Sequence, residues 1–302
     1  RLVKMSPETI GLIGAVAMVI LLLVGGMWIG TVTAVVGFIG IVLIRGLDQA
    51  LSLAGILPYQ NVSTYQLTMM PMFILMGMIV SESGIGAELY EAAHKWLGRF
   101  KGGLASASVA ACGTLGAITG SSMTGIMVLS KVALPEMKKY NYDARLASGC
   151  IAAGSTIACL IPPSVPFILY GLVTEQSVGK LFIAGIIPGL LQVAIYVIII
   201  SILCQLDPKM GPPGPKSSLK EKIVSLKGSW PIIVLFLLVM GGLYGGIFTV
   251  TEAGAIGAAG ALLISIITRR ITLKGFLHAV TETGLMTGTV LYMIVGTYIF
   301  QS

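Results

Sequence analysis

Charge is scarce in this sequence. Only 10% of the 302 residues are Asp, Glu, Lys or Arg, against about 25% in a soluble domain, and mean hydropathy is +0.95. A water-soluble globular fold is thereby excluded. Histidine is nearly absent too: His94 and His278 stand far apart without companion ligands, which argues against a histidine metal centre. The four cysteines, Cys112, Cys150, Cys159 and Cys204, form no CxxC pair and lie in apolar stretches, where they read as small buried hydrophobes. No GxxxxGK[ST] loop occurs, which disfavours an ATP-driven pump. The run GSSMTG misses the GxSxG spacing because Thr124 precedes Gly125, which weighs against an intramembrane serine hydrolase. The net charge of +7 comes without a basic face interleaved with aromatics, so no nucleic-acid partner is expected.

What is abundant is apolar length. Runs such as 10–44 and 181–204 reach or exceed the ~20 residues that cross a bilayer. The chain therefore reads as an all-α polytopic membrane protein in contact with lipid. Crossings are expected at 9–25, 27–44, 68–83, 145–173, 181–204, 230–248 and 251–268. The four residues ahead of Met5 read as a remnant and are set aside. The first apolar run is too long for a cleavable signal peptide. Residues 86–101 mix Glu88, Glu91, Lys95 and Arg99 with Leu89, Ala92, Ala93, Trp96 and Leu97, the pattern of an amphipathic helix in the interface. Residues 207–229, lysine-rich with a PPGP turn, read as a solvated loop.

Most basic residues fall in three groups: from Lys95 to Arg145, from Lys209 to Lys227, and Arg269, Arg270 and Lys274. Placing all three in the cytoplasm puts the N-terminus outside. It also requires residues 103–140 to begin and end on one side. About 37 residues at 1.5 Å each suffice for two half-crossings and a tight turn. The run GAITGSSMTG (116–125) lies at the middle, so a re-entrant hairpin tip is expected there. A second interruption, GSTIACLIPPSVPF (154–167), falls inside an expected crossing. Pro162, Pro163 and Pro166 each lack an N–H, so the helix must unwind. Interrupted helices of this kind place freed carbonyls and helix N-termini at an ion or substrate site, and the hydroxyls around both breaks suit a weakly held Na⁺. Tight helix packing alone would also use such small residues. Two hydroxyl-rich interruptions favour transport. Glu252, after Thr249, reads as support for a helix start, and Glu175 as an exposed loop residue; neither is expected to carry protons.

The blocks GAITGSSMTG, ALPEMKKYNYDARLASGCIAAGSTIACLIPPSVPFILYG, GKLFIAGIIPGLL and GGLYGGIFTVTEAGAIGA resemble the large membrane subunit of tripartite ATP-independent periplasmic (TRAP) transporters. The resemblance runs from about Met69 to Thr268. Val250 stands where proline is usual and Thr119 where serine is common. The resemblance implies a Na⁺-coupled secondary importer of organic acids such as sialic acid or a C4-dicarboxylate, working as an inverted-repeat elevator and not as an enzyme. It also implies a separate small four-helix membrane subunit, a periplasmic substrate-binding protein, an inner-membrane location and no organic cofactor. The alternative is a related carboxylate symporter without a binding protein, which co-purification would separate. Na⁺ is expected at Gly120, Ser121, Ser122, Gly154, Ser155, Thr156, Pro162 and Ser164. The substrate carboxylate is expected at Thr119, Thr124, Pro163 and Ser164, beside helix N-termini rather than a buried arginine. The expected layout is 1–102 scaffold helices and interfacial arm, 103–204 first transport repeat, 205–229 cytoplasmic loop, and 230–302 the opening of a second repeat. By the same spacing a second hairpin tip falls near position 340 and the repeat ends near about 425, so the second repeat is expected to be incomplete within these residues.

Overall fold

A computed structural model describes residues 6–120, 122–214 and 217–302. The described residues form fourteen α-helices and two short 3₁₀ turns, without strands. Three helices are long and apolar enough to cross a membrane alone: Val178–Leu206, Val250–Ile267 and Leu273–Gln301. Shorter apolar helices include Pro7–Leu23, Ile29–Arg45 and Gly103–Thr119.

The chain divides into two compact units. The first holds residues up to 68 together with 284–302. Its helices are α1 (Pro7–Leu23), α2 (Ile29–Arg45), α3 (Leu47–Val62) and the final part of α14 (Leu273–Gln301). Ser6 caps α1 by accepting from the Thr9 N–H, and Pro7 occupies the first turn, where its missing N–H costs nothing. α2 and α14 meet through small residues. A Cβ at Gly37 would lie 2.5 Å from the Phe300 Cα, and one at Gly296 would strike the Gly30 carbonyl. Close backbone approach of this kind is how helices associate where no hydrophobic driving force separates protein from lipid.

The second unit spans 69–283: α4 (Met69–Glu82), α5 (Ile85–Leu97), α6 (Gly103–Thr119), α7 (Ser122–Lys139), α8 (Ala144–Ser155), α9 (Val165–Val173), α10 (Val178–Leu206), α11 (Leu219–Gly228), α12 (Trp230–Tyr244), α13 (Val250–Ile267) and the start of α14. α6 is its centre, buried along almost its whole length. Its sequence, GLASASVAACGTLGAIT, holds nothing bulkier than Leu or Ile. That lets α4, α5, α7, α8 and α10 all pack against it.

α5 is the expected amphipathic helix, with Ile85, Tyr90 and Ala92 buried and Glu91 exposed. The 207–229 stretch differs from expectation. It contains α11, closed by a Ser218–Glu221 capping box, and α11 lies against α5 with the Trp96 Nε1–H donating to the Lys222 carbonyl at 3.2 Å. α3 and the 29-residue continuity of α14 were likewise not expected.

Both ends of the α6–α7 hairpin meet the 207–214 link. The Gly102 N–H donates to the Gly211 carbonyl at 2.8 Å and the Asp143 N–H to that of Met210 at 3.0 Å. The hairpin thus starts and finishes at one end of the unit, as the basic clusters required. At this base the Leu104 N–H donates to the Tyr142 hydroxyl at 3.2 Å in a buried setting. Burial pushes the Tyr142 phenol up to about 12, so it stays neutral there. Tyr142→Phe leaves that N–H orphaned, and a loss of about 1–2 kcal/mol in unfolding free energy is expected. An unchanged thermal midpoint would show that the hydroxyl does not hold α6.

Candidate functional site: two interrupted helices that meet

The hairpin turns where the sequence asked for it. α6 ends at Thr119, Gly120 takes the left-handed conformation (φ 60°, ψ 8°), and α7 starts at Ser122. Ser121 lies outside the described residues. The expected crossing at 145–173 is interrupted as well. α8 stops at Ser155, Thr156–Cys159 tightens into a 3₁₀ turn, and α9 resumes only at Val165. Pro162 and Pro163 fall in the gap, and Pro166 sits in the first turn of α9.

The two breaks are in contact. A Cβ on Gly120 would lie 3.0 Å from the Pro163 carbonyl and 3.4 Å from the Val165 nitrogen. One on Gly116 would lie 2.5 Å from Ala158 Cα, and one on Gly125 3.7 Å from Ser155 Cβ. Gly154 packs on Val109 and Cys112 of α6. The junction therefore gathers two helix C-terminal ends, at Thr119 and Cys159, and two N-terminal ends, at Ser122 and Val165. Each end leaves backbone carbonyls or N–H groups without a helical partner. Carbonyls suit a cation and N–H groups an anion.

The hydroxyls divide by face. Ser155 and Ser164 are buried. Each donates its proton to a backbone carbonyl, Ser155 to Ala152 at 2.8 Å and Ser164 across the gap to Cys159 at 2.7 Å. Their oxygen lone pairs stay available. Thr119 and Thr124 are buried on the hairpin side, with Thr119 Cα against Gly77 of α4. Ser122 is half-buried.

Thr156 turns the other way. It is exposed, donates to the Ala153 carbonyl at 2.6 Å, and accepts from Gln192 of α10 at 3.0 Å. The structure therefore gathers Gly120, Ser155, Pro163 and Ser164 at the contact and carries the Thr156 hydroxyl to a second face. Gln192 went unnoticed in the sequence, although one amide inside an apolar span of this length is itself a signal.

The basic side chains are remote from the junction. Lys131, Lys138, Lys139 and Arg145 sit in the later part of α7 and the start of α8, and Lys131 is nine positions, about 13 Å of helix, beyond Ser122. Among the described residues no group of three His, Cys, Asp or Glu side chains gathers as metal ligands. Glu252 closes a capping box with Thr249 at the start of α13, the supporting role expected of it.

Comparison with known proteins agrees with this architecture. The family described as tripartite ATP-independent periplasmic transporter, DctM component, matches residues 16–302. The chain is 32% identical over 243 residues to the C4-dicarboxylate TRAP transporter large permease protein of Pseudomonas aeruginosa, covering 80% of this chain and 56% of that one. It is 30% identical over 241 residues to the sialic acid large permease protein of Vibrio cholerae, covering 80% and 56%. It is 34% identical over 229 residues to the ectoine large permease protein of Halomonas elongata, covering 74% and 52%. The chain spans little more than half the length of these relatives, all of them named as permeases rather than enzymes. With its apolar spans and this kinship, the chain is a multi-pass protein of the bacterial inner membrane, and it belongs to the family of DctM components, the large permease subunits of TRAP transporters.

Proposed function

We propose that this chain provides the first ion- and substrate-binding half of a Na⁺-coupled importer of organic acids. The observation that carries the reading is the contact between the hairpin tip and the broken helix, Gly120 against Pro163 and Val165. A hard monovalent cation prefers neutral oxygens, and the junction supplies carbonyls from two helix C-terminal ends together with the lone pairs of Ser155 and Ser164. On this reading Gly120, Ser122, Gly154 and Pro162 complete a Na⁺ donor set through backbone or side-chain oxygens, while Ser121, expected with them, lies outside the described residues. Na⁺ would supply the driving force and neutralise part of the cargo's charge. The acid group sits by the N-terminal ends of α7 and α9, near Thr119, Thr124, Pro163 and Ser164, because the basic residues of 103–173, Lys131, Lys138, Lys139 and Arg145, lie in the later part of α7 and the start of α8.

The relatives are named for C4-dicarboxylate, sialic acid and ectoine, all carboxylate-bearing compounds, and the same broad class is proposed here. A periplasmic binding protein delivers the cargo, a small four-helix membrane subunit braces the complex, and the transport region moves past its scaffold as an elevator. The hairpin's common end at links 98–102 and 207–214, with Arg99 and Lys101 in the first of them, supports a cytoplasmic base.

The test uses the full-length transporter in proteoliposomes with its small subunit and binding protein. Ser122→Ala combined with Ser155→Ala is expected to raise the Na⁺ concentration for half-maximal uptake about tenfold, the loss of two modest oxygen ligands. Thermal stability is expected to hold. Unchanged Na⁺ dependence in a folded double variant would remove the sodium assignment from this junction.

A further inference from the structure

On the far side of the broken helix from the hairpin lies a polar triad with incomplete hydrogen bonding. Gln192 stands fourteen positions from either end of α10. That 29-residue helix is ~43 Å long, against a hydrocarbon core of ~30 Å, so Gln192 is at the membrane's midplane. Its Nε2 donates to the Thr156 hydroxyl at 3.0 Å and to the Tyr196 hydroxyl at 2.9 Å. Thr156 passes its own proton to the Ala153 carbonyl at 2.6 Å. Tyr196 is therefore left holding a proton whose nearest acceptor in the triad is Thr156 at 3.4 Å. Gln192 Oε1 is enclosed and has no partner at all.

Two explanations compete. If the triad were only interhelical glue between α10 and the 3₁₀ turn, its hydrogen bonds would close on themselves. They do not, since the Gln192 amide oxygen remains without a partner and the phenol proton has only the long contact to Thr156 at 3.4 Å. Thr156 is also exposed and Tyr196 half-exposed on this face. Polar groups at the midplane do not face lipid chains; they face protein or a water-filled cavity.

We propose that the Thr156–Gln192–Tyr196 triad lines the aqueous path of the cargo, and that the Tyr196 O–H is a neutral donor to its carboxylate along that path, before the acid reaches the N-terminal ends of α7 and α9, with Gln192 as the residue that positions it. The second half of this inference rests on the organic-acid reading above; the first does not. A phenol donor at this place recognises an acid without a buried cation, in keeping with the distance of Lys131, Lys138, Lys139 and Arg145 from the junction. It also accounts for the orientation of Thr156, one residue after Ser155 but turned to α10 instead of the hairpin.

The experiment has two arms, both on the full-length transporter with its small subunit. In membrane vesicles, Thr156→Cys and Tyr196→Cys are compared with Ile187→Cys and Ile195→Cys on the exposed apolar face of α10. All are made with Cys159→Ser, because Cys159 is half-buried while Cys112, Cys150 and Cys204 are buried. The probe is the membrane-impermeant thiol reagent methanethiosulfonate ethylsulfonate. The two triad positions are expected to react far faster than the two apolar ones; equal rates would overturn the water-path inference.

In proteoliposomes with the binding protein, Tyr196→Phe is assayed with succinate, sialic acid and ectoine. For whichever acid the wild type imports, KM is expected to rise about tenfold, the value of one hydrogen bond to a charged group. Maximal rate and Na⁺ half-saturation are expected to hold. An unchanged KM would overturn the donor role. Import of none of the three by the wild type would count against the organic-acid reading and the donor role together, while the thiol rates would still decide the path.

Discussion

Replacing Gly116 with leucine is expected to dismantle the junction and end transport. The first carbon of any side chain at this position lies 2.5 Å from both Ala158 Cα and Ala158 Cβ and 3.0 Å from the Ala158 nitrogen. No rotamer relieves that collision, because the obstacle includes backbone. One turn further along the same helix, a Cβ on Gly77 of α4 would lie 2.5 Å from Thr119 Cα, so α6 is closely packed there as well. Overpacking costs about 1–3 kcal/mol where side chains can give; here the upper end is expected, enough to lower the melting temperature by several degrees. Even Gly116→Ala carries the offending Cβ and is expected to destabilise. Gly149→Ala is the control. It also lies mid-helix, but with nothing within 4 Å, so alanine there is expected to be neutral or to stabilise by about 0.5–1 kcal/mol. Equal melting of Gly116→Leu and wild type would refute the close contact between α6 and the 3₁₀ turn.

The parts of the site that could be read from sequence are those fixed by backbone chemistry. Three prolines within five residues dictate the gap before Val165. A glycine flanked by hydroxyl residues between two apolar runs dictates the turn at Gly120. The Thr249–Glu252 capping box follows from spacing alone.

The elements that escaped were governed by tertiary context. α11 hides in a lysine-rich stretch that looks solvated. Its Ser218–Glu221 box has the same spacing as Thr249–Glu252 but no apolar run behind it. What the sequence does not show is its contact with α5, where the Lys222 ammonium lies 5.7 Å from the Trp96 ring centre. α3 carries Asp48, Gln49, Gln60 and Asn61, which dilute its apolar signal. In α14, Gly284, Gly288 and Gly296 resemble turn punctuation, yet Gly296 serves the close approach to Gly30. The turn of Thr156 toward α10 is a question of helical phase. Neighbouring positions differ by about 100°, so Ser155 and Thr156 could not both face the hairpin.

Gly120→Val is expected to abolish Na⁺-dependent uptake while leaving much of the fold in place. Gly120 holds φ at 60°, a conformation costing other residues roughly 1–2 kcal/mol and least suited to a β-branched side chain. A new Cβ there also lies 3.0 Å from the Pro163 carbonyl and 3.4 Å from the Val165 nitrogen and Cγ2. Valine's methyl groups therefore force the tip away from the break and widen the place where the carbonyls of one element and the N-terminal end of the other converge. Backbone strain and loss of the contact can be told apart. Gly120→Asn tolerates the left-handed conformation far better but still places a Cβ against Pro163, so it is expected to keep most of the stability and lose most of the uptake. Gly84 supplies the converse: its φ is 71° and nothing lies within 4 Å of its Cβ position. Gly84→Asn should thus show the strain alone, with uptake and Na⁺ half-saturation close to wild type. Thermal unfolding and proteoliposome uptake on the three variants resolve the question. If Gly120→Val imports its acid with the wild-type Na⁺ dependence, the hairpin tip is a packing element and the ion site lies elsewhere in the transporter.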